Sequence, residues 1–168
     1  MIKKRAILLS AVLTALLCTE SGLPGAKATV LTVKVTVLAG PCKINNNNPI
    51  DVDFGDDMLT TRVDGNNYLK TINYTLDCSE AKNDALKMQI SGDVAPFDKN
   101  ILRTPEASNA DNLGIKLLHN GTSWPLNDWF NFKKGEHPVL QAVPVKAPGS
   151  TLKAGTFSAS ATLTVDYQ

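Results

Sequence analysis

The chain has 168 residues, of which 43% are hydrophobic and 6% aromatic, with 17 lysines and arginines against 16 aspartates and glutamates. That length suits one domain. A formal charge of +1, with no basic patch, leaves nothing to hold a nucleic acid.

At the N-terminus, Lys3, Lys4 and Arg5 precede an apolar run from Ala6 to Cys18. This is the pattern of a secretory signal peptide, and the run is shorter than the about 20 apolar residues that cross a bilayer core. Ala26-Lys27-Ala28 is a small-x-small cleavage site, so residues 1–28 are assigned to the signal peptide and Thr29 to the mature N-terminus. A lipid-attachment reading of Cys18 meets Leu17 where a small residue is wanted. The mature chain is slightly acidic and keeps Cys42 and Cys78. An even number of cysteines in an oxidising compartment predicts a disulfide, closing a loop of about 37 residues that stabilises the fold by roughly 4 kcal/mol. Two cysteines so far apart without companion histidines make a poor zinc site.

Leu31 to Ala39 alternates, with Leu31, Val33, Val35 and Val37 on one face and Thr32, Lys34 and Thr36 on the other, which predicts a strand. Gly40-Pro41 ends it, Cys42 opens a short strand, and the four asparagines Asn45 to Asn48 predict a turn. Pro49 to Phe54 alternates again, with Ile50, Val52 and Phe54 in phase. So does Thr71 to Cys78, where Ile72, Tyr74, Leu76 and Cys78 share a face. Further strands are predicted at Ala85 to Ser91, Leu113 to Leu118, Val139 to Val145 and Thr156 to Gln168. The last carries Phe157, Ala159, Ala161, Leu163, Val165 and Tyr167 on one face. Short strands at a spacing of about 8 to 12 residues, with turn signals between, predict an all-β sandwich.

The segments from Val33 to Ile50, Val52 to Cys78 and Leu113 to Gln168 resemble the minor fimbrial subunits (pilins) of the chaperone-usher type 1 and P pilus family. Three marks carry the resemblance: a cysteine soon after an alternating arm, the phrase IDVDFG at Ile50 to Gly55, and a C-terminal strand opening at Gly155 with Tyr167 as its penultimate residue. LGIKLLHNGTSWPLN, from Leu113 to Asn127, also matches the family's core strand and turn.

The resemblance implies an incomplete immunoglobulin-like sandwich lacking its last strand, completed by donor-strand complementation. Residues 29–40 would be the N-terminal donor extension and 41–168 the pilin domain. Leu31, Val33, Val35 and Val37 would be the donor knobs. Phe157, Ala159, Ala161, Leu163, Val165, Tyr167 and Gln168 would form the acceptor groove and the strand facing the chaperone. The implied partners are a periplasmic pilus chaperone, an outer-membrane usher and other pilus subunits, with host glycan met only through the assembled pilus. The implied place is the surface pilus, reached through the periplasm, for a minor or adaptor subunit that supports cell adhesion. No cofactor and no enzymatic activity are implied. Burying the knobs is worth roughly 1.5 to 3 kcal/mol each, on the order of 6 to 12 kcal/mol in all. Val35 stands where related arms often carry a glycine.

A second functional reading rests on Trp124 and Trp129, in SWPLNDWF: paired tryptophans on one loop can stack on a sugar, making the chain a carbohydrate-binding adhesin, or they can pack under the loop. Asp51, Asp53, Asp56 and Asp57 lack the spacing of a calcium loop, and Asp51 and Asp53 alternate with apolar neighbours as the wet face of a strand. His119 and His137 come with no nucleophile motif.

Overall fold

The alternation in the sequence becomes strands wherever a neighbouring strand exists to pair with. The computed structural model describes residues 40–105, 109 and 111–168, so the signal peptide and the donor knobs Leu31, Val33, Val35 and Val37 lie outside the described residues. Eleven strands are present among them. Those in the first half are β1 (Lys43–Ile44), β2 (Lys70–Thr71), β3 (Leu76–Asp77), β4 (Ala85–Ser91), β5 (Val94–Ala95) and β6 (Asp98–Arg103). The second half holds β7 (Leu113–His119), β8 (Thr122–Ser123), β9 (Trp129–Lys133), β10 (Leu140–Lys146) and β11 (Thr162–Tyr167).

Two sheets face each other. One runs β2-β10-β7-β6-β5, with β8 paired to β7; the other runs β11-β4-β9, and β1 pairs with β3 as a short ribbon. All the pairings are antiparallel. Leu86, Met88, Ile90, Phe132 and Val165 from the smaller sheet share a core with Leu102, Ile115, Leu117, Leu140 and Ala142 from the larger. The fold is therefore an all-β sandwich of the immunoglobulin-like kind, as expected.

Three predicted strands are altered, each for a reason of pairing. Thr71 to Cys78 is one extended run whose burial alternates as predicted, but it changes sheet midway: Thr71 pairs with Gln141 of β10, and Leu76–Asp77 with β1. Thr156 to Gln168 forms a ladder only from Thr162, opposite Ser91, because β4 ends there. Pro49 to Phe54 lies in no strand, although Ile50, Val52 and Phe54 are half-buried and Asp51 and Asp53 exposed. Val139 falls just outside β10 and is exposed. Four strands went unpredicted: β5, β6, β8 and β9.

The disulfide between Cys42 and Cys78 is formed, with the Cα atoms 4.1 Å apart. Asn45 to Asn47 make the expected turn, as a tight 3-10 turn with left-handed backbone at all three residues.

Candidate functional site

A groove opens between two extended segments that belong to no strand, one on each side. One wall carries Ile50, Val52 and Phe54, and the other Phe157, Ala159 and Ala161, continuing to Leu163 at the start of β11. Between them lie core side chains including Ile72, Leu117, Leu140 and Ala142. The groove holds about 470 Å³. Period 2 explains the walls: alternate residues of an extended chain point the same way, so each wall presents its apolar set inward, while Asp51 and Asp53 stand exposed along the groove's rim.

The groove is bounded differently at its ends. Phe54 and Phe157 meet across one end, ring centroids 5.9 Å apart. At the other, Ile50 and Leu163 share a second hollow with Cys42 and Ile44. The walls therefore run in opposite senses. Gly92 lies beneath the second wall: a Cβ there would come 3.3 Å from the Ser160 carbonyl and 3.6 Å from the Ala161 Cβ. Its missing side chain lets that wall settle onto the core.

Of the seven residues predicted for the acceptor face, the structure brings Phe157, Ala159, Ala161 and Leu163 into the groove and puts the other three elsewhere. Val165 is buried, opposite Met88 of β4. The Tyr167 hydroxyl accepts a hydrogen bond from the Lys82 amide at 3.0 Å. Gln168 donates from its backbone to the Ala85 carbonyl and from its side-chain amide to the Leu86 carbonyl. The opposite wall was not assigned to the site from sequence. Its signal was present in the phase of Ile50, Val52 and Phe54, but a single strand's period does not say which other strand shares its cleft.

The paired-tryptophan site does not form. Trp124 is 5% exposed, its indole N–H donates to the Asp128 carbonyl at 3.0 Å, and its ring meets Phe130 edge-on at 4.7 Å. Trp129 is 41% exposed on β9, with the Lys87 ammonium 5.0 Å above its ring. One is a core residue and the other belongs to an outer sheet face, so they make no common platform. Asp53 accepts from the Gly55 amide within its own turn, and no group of three or more His, Cys, Asp or Glu converges among the described residues. His119 stacks on Phe130 and His137 on Tyr74.

Comparison with known proteins gives consistent matches. The family model described as "Fimbrial protein" matches residues 30–168. A fimbrial-like protein of Escherichia coli K12, YfcR, is 36% identical over 156 residues, covering 90% of this chain and 88% of its own. Among solved structures, the P pilus rod subunit PapA superposes with a TM-score of 0.56 at 21% identity, over 82% of this chain and 98% of that one. The P pilus adaptor subunit PapF gives 0.52 at 26% identity, over 79% and 100%.

Proposed function

The chain belongs to the fimbrial protein family, a structural pilus subunit and not an enzyme, and from that membership we propose that its groove accepts a β-strand from another chain while its own residues 29–40 are lent onward. The observation that carries the reading is the match between the groove and the arm. Phe157, Ala159, Ala161 and Leu163 offer four inward side chains on alternate residues, and Leu31, Val33, Val35 and Val37 offer four apolar side chains at the same spacing. Main-chain hydrogen bonds to the walls would supply affinity, and the alternate side chains specificity. Because the walls run in opposite senses, an inserted strand is parallel to one and antiparallel to the other.

In this reading a periplasmic chaperone occupies the groove first and an outer-membrane usher hands the subunit to its neighbour on the way to the cell-surface fimbria. The higher sequence identity to an adaptor subunit than to a rod subunit favours a minor or adaptor place in the fibre. Glycan contact then falls to the assembled pilus, not to this chain's tryptophans.

The test is strand exchange in vitro. Chaperone-bound subunit is mixed with a peptide spanning Thr29 to Ala39 and chaperone release is followed. The wild-type peptide is expected to displace the chaperone, and a Val35→Asp peptide to fail, since it drives an unpaired carboxylate into an apolar groove at a cost of several kcal/mol. Lys34→Ala, on the opposite face of the arm, is expected to behave as wild type. Equal displacement by the Val35→Asp and wild-type peptides would overturn the assignment.

A further inference from the structure

At the end of the sandwich beside the groove, His119 is held in a way that admits only one protonation state. Asn120 and Gly121 form a two-residue turn with left-handed backbone at both positions, joining β7 to β8, and the turn is fastened to Val139, the residue before β10. The Asn120 amide donates to the Val139 carbonyl at 2.8 Å. The Val139 amide donates to Asn120 Oδ1 at 3.0 Å. A backbone N–H can only donate, so this second bond fixes which end of the Asn120 side chain is oxygen. Its Nδ2 is thereby turned toward His119 Nε2, 3.1 Å away. Nδ2 carries only hydrogens to give, so Nε2 must accept, which requires a neutral ring with its proton on Nδ1.

We propose that His119 is an acid-sensitive latch: its neutral imidazole orients Asn120, which holds the 120–121 turn on Val139, and protonation of the ring releases that turn. A proton on Nε2 would face Nδ2 donor to donor. Rotating the Asn120 amide to relieve the clash would withdraw Oδ1 from the Val139 amide. The ring cannot easily swing away, because it is stacked on Phe130 of the opposite sheet at 3.7 Å and 16°, with Trp124 edge-on at 6.3 Å.

Other charged and titratable groups on the elements packed here are Asp128 before β9, Lys133 on it, Lys134, Glu136 and His137 in the connection to β10, Lys146 at the far end of β10, and Lys116 on β7 itself. None of them sets the state of the ring; burial alone pushes the His119 imidazole below its ordinary value. The sign follows. With the folded value depressed, the latch holds fully above the unfolded value of about 6.5 and is lost as pH falls through the folded one. Leu140, opposite His119 in the ladder, lines the groove, so the latch sits next to the strand-accepting cleft, although its operation does not depend on what fills it.

The experiment is an NMR titration of the isotope-labelled full chain, reading the His119 tautomer and exchange of the Val139 amide. At pH 7.5 the His119 proton is expected on Nδ1. As the ring titrates, Val139 exchange, corrected for its intrinsic pH dependence, should rise roughly three- to tenfold, the worth of one hydrogen bond. His119→Gln, which cannot titrate, should hold Val139 exchange flat over the same range. Asn120→Asp should invert the trend, because a carboxylate accepts from both the Val139 amide and a protonated ring, giving slower exchange in acid. A proton on Nε2 at pH 7.5, or the same rise in the His119→Gln variant, would overturn the proposal.

Discussion

Asn45, Asn46 and Asn47 hold φ values of 48°, 52° and 62°, three successive residues in a region that costs most L-residues roughly 1 to 2 kcal/mol each. The Asn45 side-chain amide helps by donating to the carbonyls of Asn48 and Pro49 at 3.1 and 2.7 Å, closing the turn that aims the chain into the first groove wall. Asn46→Ala should therefore destabilise by about 1 kcal/mol and Asn46→Gly should be neutral or slightly stabilising, read as the urea midpoint at unchanged slope. The four asparagines marked a turn in the sequence, but not its hand, since asparagine tolerates left-handed backbone without demanding it. The tryptophans differ in the same way. Trp124→Ala should cost about 3 to 5 kcal/mol, whereas Trp129→Ala should change stability by about 0.5 kcal/mol or less; thermal unfolding separates the two, and near-equal effects would contradict the burial of only one. Sequence spacing put both on one loop because side-chain direction depends on where β9 begins, and β9 was missed: Phe130 and Phe132 alternate inward, but the run is only five residues long.

At the scale of elements, period was legible and partnership was not. β4, β7 and β10 were located nearly to the residue because long apolar alternations pair along their whole length. β8 was missed although Asn120-Gly121, a strong hairpin signal, stands directly before it. The C-terminal run was read correctly as one extended chain, yet only its second half finds a strand beside it, and that boundary is set by where β4 stops, a fact located some seventy residues away. Two substitutions test the division. Ala159→Phe fills the groove from a wall that makes no ladder, so it should leave the unfolding transition nearly in place while weakening capture of the 29–39 peptide at least about tenfold. Leu163→Asp, within β11 opposite Ile90, puts a carboxylate against the core and should lower stability by several kcal/mol, with capture lost as a result. A calorimetric scan beside a binding isotherm distinguishes the two patterns. Gly92→Val belongs with the second: its side chain meets Leu102 and the Ser160 carbonyl, and overpacking of this kind costs about 1 to 3 kcal/mol.

For the whole molecule, an apolar cleft proposed to take a strand from elsewhere predicts poor solubility alone. Expressed without a partner and with residues 29–40 removed, the chain should aggregate or be degraded, and co-expression with a cognate periplasmic chaperone should rescue it; a cooperative soluble monomer under those conditions would contradict the incomplete fold. The single disulfide bears on a different property of the assembled chain. Tension applied through the arm reaches the domain at Cys42 and crosses at once to Cys78. Lys43 to Asp77, which includes the wall from Ile50 to Phe54, is thereby closed into a loop that tension on the arm cannot pull out as free chain. In the proposed fibre the cleft itself would carry the load to the next subunit's strand, and the disulfide keeps the Ile50 to Phe54 wall from being drawn out along the backbone. Reduction puts the loop in series: for a separation of 36 residues, single-molecule extension should reveal about 120 Å of added contour, absent from the oxidised chain.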